Sequence, residues 1–379
     1  MIPVMKPWLG EEEAAAAAEA VRSGWVAQGP RVAEFETRFA DRVGAPHAVA
    51  VSSCTSALHL SLHLLGIGRG DEVVVPSFSF IATANAAVYV GATPVFADVE
   101  AEDGNLSVRT VEPVLTERTR AVVVVHQGGM PADVEPLRRL CARREVALVE
   151  DAACAAGSTY RGRPVGAGAA MAAWSFHPRK LLTTGEGGML TTSDPEIAAR
   201  ARRLREHGMN ISAADRHQSR QPVIESYLEV GFNFRMTDIQ AAVGLVQLDK
   251  LDAMVRRRRD LAARYHELLA GVPGLRAVRD PDHGESNYQS FWVELDAGFP
   301  LARNALLSSL AEDGVSARAG IMAAHRQPAY DGHPHGDLST TERLTDGTMI
   351  LPLFHSMTEQ EQDTVVAAVR RAAGIRVAS

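Results

Sequence analysis

Cysteine is scarce in this chain: Cys54, Cys141 and Cys154 are the only three among 379 residues. An odd and sparse set provides no disulfide framework, and the reducing cytoplasm is the expected compartment. Long apolar runs are also lacking. None reaches the roughly 18 residues needed to cross a bilayer, so no membrane partner is expected. Positive charge is not in excess, with 39 Lys and Arg against 46 Asp and Glu and a net charge of −7. That balance argues against a nucleic-acid-binding face, although it permits a local basic pocket for a diphosphate. A secretory leader is not expected either. The run Ala14–Ala18 follows Glu11, Glu12 and Glu13, where a leader has a basic start and a longer apolar core. No internal repeat and no low-complexity segment is found.

What the chain does have is 46% hydrophobic and 22% charged residues, the composition of a globular protein with ample core. Residues 10–23 read as an amphipathic helix, and a second helix follows Pro30. From about 46 to 192, short apolar runs alternate with helical stretches. Strands are predicted at 48–52, 72–76, 93–97, 121–126, 146–150, 172–176 and 188–192. That pattern implies a mostly parallel seven-stranded sheet covered on both faces, in an α/β fold. Ligands of such sheets collect beyond the carboxyl ends of the strands. Residues 209–230 are polar and aperiodic and read as a loop. A long helical pattern runs from Thr237 to about Leu269, with Arg256–Arg259 on an exposed face. After Pro273 the chain restarts with shorter strands and two more helices, ending near Arg371. Two domains are expected, a large one over 1–250 and a smaller α+β one over 251–379, with one helix bridging the cut.

The chemistry concentrates at strand ends. Lys180 follows an apolar strand and precedes the turn Gly185-Glu-Gly-Gly188. Lysine is the side chain that forms a Schiff base with an aldehyde cofactor. Val146-Ala-Leu-Val-Glu-Asp151 reads as a buried strand ending in a carboxylate. Pyridoxal phosphate needs such an acid opposite its ring nitrogen. Hydroxyls at Ser53, Thr55 and Ser56 fall where a strand passes into a helix, and Ser175 ends another strand. Free amides and the positive dipole end at such a helix start suit a phosphate. Phe78 and Phe80 follow a further strand and, on extended backbone, share one face. Either could stack on a planar ring.

Other signals carry less. Gly66-Ile-Gly-Arg-Gly70 precedes a strand instead of following one, so it is no dinucleotide fingerprint. His333, His335 and Asp337 have ligand-like spacing, but Pro and Gly around them mark a loose loop, and no metal site is read there.

In order along the chain stand Gly24-Trp-Val-Ala-Gln-Gly-Pro30, Ser52-Ser-Cys-Thr-Ser-Ala-Leu-His-Leu60, Pro76-Ser-Phe-Ser-Phe80, Glu150-Asp-Ala-Ala153, Ser175-Phe-His-Pro-Arg-Lys180, Gly231-Phe-Asn-Phe-Arg235 and His325-Arg-Gln-Pro-Ala-Tyr330. Together they resemble the DegT-type sugar aminotransferases, a branch of the fold-type I pyridoxal phosphate enzymes. The resemblance covers nearly the whole chain. It implies Lys180 and Asp151 as catalytic residues. It implies Thr55, Ser56, Phe80, Asp151, Cys154, Ser175, Lys180 and Asn233 around the cofactor, and Gln28, Arg235 and His325 toward substrate. Between the two phenylalanines it favours Phe80. It further implies a homodimer in which Asn233 and Arg235 reach the neighbouring subunit's site. Two positions depart from the family: Cys154 stands where relatives often carry Gln or His, and Cys54 where they often carry Gly or Ala. Both are small enough to fit.

The activity implied is amino transfer from glutamate or glutamine to a keto-sugar nucleotide, in deoxyamino-sugar or secondary-metabolite synthesis. Relatives that aminate cyclitols or other ketones leave a second possibility open. Relatives that dehydrate sugars carry histidine at the lysine position, and Lys180 counts against that chemistry. A non-catalytic regulator would need a DNA-binding helix pair, for which there is neither a basic segment nor spare length.

Overall fold

The computed structural model describes residues 1–211, 222 and 224–375. Consecutive valines in the strand Glu72–Pro76 serve opposite faces. Val73 and Val75 join one core with Val49, Val123 and Leu190, while Val74 joins another with Val122 and Val124. A sheet buried on both faces needs such unbroken apolar runs.

The sheet has seven strands. Their order is His47–Val51, Gly188–Thr192, Met171–Ser175, Ala147–Asp151, Thr119–Val125, Glu72–Pro76 and Thr93–Ala97. The last five pair in parallel. Gly188–Thr192 runs antiparallel to both of its neighbours. This is the expected mostly parallel α/β sheet, with strand ends displaced by a residue or two. Alternation with helices fails twice. Residues 152–170 hold the two-residue strands Thr159–Tyr160 and Arg163–Pro164, the first paired with Gly284–Glu285. Residues 176–187 form a connection without a helix.

Helices pack on both faces. Pro30–Val43 starts at Pro30, and its first amides donate to a carboxylate supplied from far away: Arg31 and Val32 to Asp238, at 3.1 and 3.0 Å. Asp238 itself opens the long helix Asp238–Leu268, which Thr237 and Gln240 cap reciprocally. That helix is about 45 Å long. Its first half packs Ala241, Leu248 and Met254 with Phe35, Phe39 and Trp174. Its second half packs Leu261 and Tyr265 with Phe291, Leu351 and Val365. A second sheet, in the order Leu275–Ala277, Phe291–Leu295, Thr348–Leu351 and Arg318–Ala319, is antiparallel throughout. No helix among the described residues is long and apolar enough to cross a membrane.

Several expectations need correction. Among the described residues, the stretch beyond Pro273 holds three α-helices, Arg303–Glu312, Ser339–Gly347 and Glu359–Ala372, instead of two. The middle one is short and polar, and its first amides at Thr340 and Thr341 donate to Asp98, some 240 residues away, so no local capping signal announces it. In the 209–230 stretch Met209 bridges Tyr227, while 212–221 and 223 lie outside the described residues. The arginines at 256–259 are not a solvated face. Only Arg256 is exposed. Arg257 donates to Met357 O at 2.6 Å. Arg258 is 4% exposed and donates to Tyr288 O, Leu353 O and Gln289 O at 3.0, 2.8 and 3.1 Å. Burial pulls its pKa down to about 10. A charge run reads as a surface because sequence does not reveal which carbonyls the fold leaves without donors.

Arg258→Met is expected to lower stability by about 3 kcal/mol, because three buried carbonyls lose a charged donor. Arg256→Met is expected to change it by no more than about 0.5 kcal/mol. Urea unfolding of both variants checks the contrast.

Candidate active site

Asp151 closes the strand Ala147–Asp151 and is buried. Neighbouring side chains of a strand face opposite ways. Glu150 therefore turns toward the helix Val134–Arg143, where His126 and Arg138 meet it at 3.3 and 2.6 Å. Burial opposes its charge, but these two partners prevail and hold its pKa below the usual carboxylate value. Asp151 turns the other way, toward the start of the helix Cys54–Leu64. Its Oδ1 accepts from Ala153 N–H at 3.1 Å and stands 3.9 Å from Cys54 Sγ. Its Oδ2 accepts from the Thr83 hydroxyl at 2.9 Å. Burial is the largest influence and raises the Asp151 pKa, against the donors Ala153 and Thr83 and the charge of Lys180. A carboxylate so placed gains from any cation brought against it.

Ser53 caps the helix Cys54–Leu64, accepting from Ser56 N–H at 3.1 Å. The Ser56 hydroxyl lies 3.0 Å from those of Ser52 and Ser53. The amides of Cys54 and Thr55 open the helix and have no carbonyl one turn back to bond. Gly188 brings the sheet up to this point. It is the cross-strand partner of Ser175, and a Cβ on it would stand 2.4 Å from Ser53 C and 2.5 Å from Cys54 N. Only glycine permits that approach. The strand bearing Ser175 thus runs beside a donor-rich helix start suited to an anion.

Lys180 lies on the connection between those partners, Ser175 and Gly188. Its N–H donates to His177 O at 2.8 Å, and Phe176 N–H to Gly187 O at 2.9 Å. Gln289 clamps the same turn, accepting from Leu181 N–H at 3.0 Å and donating to Arg179 O. Nζ of Lys180 ends 3.0 Å from Cys154 Sγ. Burial works against the ammonium, but Cys154, Cys54 and Asp151 together outweigh it and hold the pKa above that of an ordinary lysine. The Cys54 thiol is pushed well up by burial and by Asp151.

The remaining residues fall into two groups. Phe80 is 59% exposed, whereas Phe78 is fully buried with its ring centroid 6.2 Å from that of Trp292. The strand stops at Pro76, so the two rings do not share a face, which corrects the extended reading. His325 ties two segments together, with Nδ1 2.7 Å from Ser77 Oγ and Nε2 3.2 Å from Glu342. Gln28 is buried and donates to Glu206. Asn233 is exposed, and its backbone bridges Glu206. Arg235 beside it is half-buried. Lys180 meets Cys154 and Asp151 meets Cys54, the two pairs lie close enough to influence each other's charge, and Thr55, Ser56 and Ser175 stand around the adjoining helix start. No hydrogen bond among the described residues joins Gln28, Asn233 or Arg235 to that group. Thr83 and Gln289 were not singled out from sequence, since each acts through a partner distant in the chain. Among the described residues no group of three or more His, Cys, Asp or Glu is placed to hold a metal.

Comparison with known proteins decides the family. The family model described as DegT/DnrJ/EryC1/StrS aminotransferase family matches residues 7–370. The chain belongs to this family. It is an aminotransferase, and its cofactor is pyridoxal phosphate. It is 38% identical over 376 residues to the spore coat polysaccharide biosynthesis protein SpsC of Bacillus subtilis (strain 168), covering 97% of this chain and 96% of that protein. The solved structure of the aminotransferase TlmJ from Streptoalloteichus hindustanus has a TM-score of 0.91 and 41% identity over 99% of both chains. The putative sugar aminotransferase Spr1654 from Streptococcus pneumoniae, solved in a PMP-form, has a TM-score of 0.93 and 27% identity over 99% of both chains. The same protein is also solved in a PLP-form.

A raised pKa keeps Lys180 protonated below it, and only the neutral amine attacks a carbonyl. Uptake of pyridoxal phosphate by cofactor-free aminotransferase is therefore expected to speed up by about tenfold per unit between about pH 7 and pH 9. Stopped-flow absorbance reads this rate. A flat profile would mean that the amine is already neutral.

Proposed function

We propose that this aminotransferase moves an amino group from glutamate or glutamine to a keto-sugar nucleotide, in the synthesis of a deoxyamino sugar or a secondary metabolite. The observation that carries the reading is the convergence of Lys180, Asp151 and the open helix start at Ser53 on one end of the sheet. The sugar is supported by kinship with a spore coat polysaccharide biosynthesis protein and a putative sugar aminotransferase. The donor follows from the family resemblance.

The residues present fit the cofactor, because the helix start at Ser53 offers backbone amides and the Ser56 hydroxyl to an anion, with the Asp151 carboxylate and the Lys180 amine beside it. When bound, pyridoxal phosphate supplies an aldehyde that condenses with amines and a ring that withdraws electrons from the adjoining carbon. Thr55, Ser56 and Ser175 hold its phosphate. Asp151 holds a proton on the ring nitrogen, Phe80 covers the ring, and Cys154 is assigned to the ring hydroxyl. Lys180 anchors the cofactor between turnovers. When free, its neutral Nζ would take the proton from the donor's Cα and deliver it to the cofactor's carbon, and with the ketone would carry a proton the opposite way. Gln28, Arg235 and His325 contact substrate. Asn233 and Arg235 serve the site of a second copy across a two-fold axis, which makes the enzyme a homodimer. The exposure of Asn233 supports this. Residues 1–250 form the cofactor domain and 251–379 the smaller one, and the enzyme works in the cytoplasm. Turnover with glutamate or glutamine over a panel of keto-sugar nucleotides and keto-cyclitols tests the acceptor class. Activity on the cyclitols alone would displace the nucleotide reading.

Lys180→Ala is expected to abolish turnover, and borohydride is expected to fix the cofactor to the peptide holding Lys180 in the wild type. Normal turnover in the variant, or fixation on another lysine, would overturn the assignment.

Mixing inactive Lys180→Ala with an inactive Asn233/Arg235 double variant is expected to restore activity, up to about a quarter of wild type. Half the dimers are then mixed, and each has one intact site. If subunit exchange is verified and nothing returns, the two residues serve their own subunit.

A further inference from the structure

Two buried hydroxyls that the roles above do not use form a line ending on Asp151. Ser79, Thr83 and Asp151 are 2%, 2% and 5% exposed. The Ser79 and Thr83 hydroxyls are 3.0 Å apart, and Thr83 Oγ1 is 2.9 Å from Asp151 Oδ2. Proton counting sets the direction. An ionised carboxylate only accepts, so Thr83 spends its one proton on Asp151. Ser79 must then donate to Thr83. Both hydroxyls come from the segment that also carries Phe80, with Thr83 in the first turn of the helix Ala82–Tyr89. The segment is itself pinned. Ser79 N–H donates to Ser77 O at 3.0 Å, and the Ser77 hydroxyl holds His325 at 2.7 Å.

We infer that Ser79 and Thr83 form a hydroxyl relay that keeps the Asp151 carboxylate charged and fixes its rotation, making Thr83 a positioning residue for amino transfer. This rests on the role proposed above for Asp151. The charged and titratable groups that act on Asp151 are Lys180 and His126, through their charge, and Cys54, whose thiol faces it. The Cys54 thiol is a weak donor at 3.9 Å. Oδ1 has the Ala153 amide, while among the described residues Thr83 is the one hydroxyl that Oδ2 is given. Without it burial goes less opposed, and Asp151 takes a proton more readily. A carboxyl that holds the proton itself leaves the ring nitrogen without one.

The test uses the cofactor-loaded enzyme with Thr83→Val, Thr83→Ser and Ser79→Ala, and Asp151→Asn alongside. Thr83→Val keeps the volume and removes the hydroxyl. It is expected to lower kcat about tenfold with KM for the ketone little changed. The pH midpoint of the bound cofactor's visible absorption is expected to move up, and the cofactor-free protein to bind pyridoxal phosphate more weakly. Thr83→Ser is expected to restore all three readouts, and Ser79→Ala to move them in the same direction by about threefold or less. Thr83→Val that folds, loads and keeps the wild-type kcat and midpoint overturns the relay. If Thr83→Val does not fold, an unmoved midpoint in Ser79→Ala overturns it instead. Asp151→Asn separates the two claims. A silent Asp151→Asn removes the role of Asp151 and the relay with it. A loss of about a hundredfold there, beside a silent Thr83→Val, removes the relay alone.

Discussion

The approach of Gly188 to Ser53 and Cys54 is the constraint on which the site depends. Residues 53–56, 79–83, 151–154 and 175–188 are scattered along the chain, and none of these segments is a site alone. They meet because one antiparallel strand is wedged between two others, with its first residue pressed on a helix start. The Ser175–Gly188 pair anchors both ends of the loop that carries Lys180. Moving that contact by an ångström would separate the anion cradle from the amine. Catalytic constellations tolerate about half that displacement.

Around this contact the protein keeps charges where burial disfavours them. Asp151 is held in an environment that raises its pKa, and Lys180 needs sulfur and carboxylate neighbours to stay charged. Glu150, one residue from Asp151, lies in the opposite regime, satisfied by His126 and Arg138. Two adjacent carboxylates thus divide the labour. The satisfied one steadies the strand end, and the strained one is left to gain from a cation. Perturbed groups gathered in one place are what a catalytic centre needs and what a purely structural cluster avoids.

Much of this was legible in the sequence. The unbroken valine runs marked strands buried on both faces, and the ends of those strands marked where Asp151 and Ser175 would lie. The hydroxyls at 53–56 read correctly as a helix start, because capping is local chemistry. Reading failed where the partner is distant. Asp98 caps the helix Ser339–Gly347, Gln289 clamps the lysine loop, and Arg258 satisfies carbonyls from three separate residues. Phe78 and Phe80 were read on an extended backbone, yet the chain bends at Ser77 and Ser79 and sends one ring into the core. Sequence periodicity carries information over a few residues, and these features are set over tens or hundreds.

The helix Asp238–Leu268 belongs to two cores at once, with Ala241 through Met254 in one and Leu261 through Tyr265 in the other. It also supplies the carboxylate that caps Pro30–Val43. A rod embedded in both halves transmits strain between them. Neither half can loosen without withdrawing the helix's support from the other, and a cut anywhere along it strands apolar side chains in water. The helix carries its packing surface unbroken past residue 250, where the sequence suggested a cut. Because Gln289, which clamps the lysine loop, stands two residues before the strand Phe291–Leu295, damage to the small sheet has a short path to Lys180.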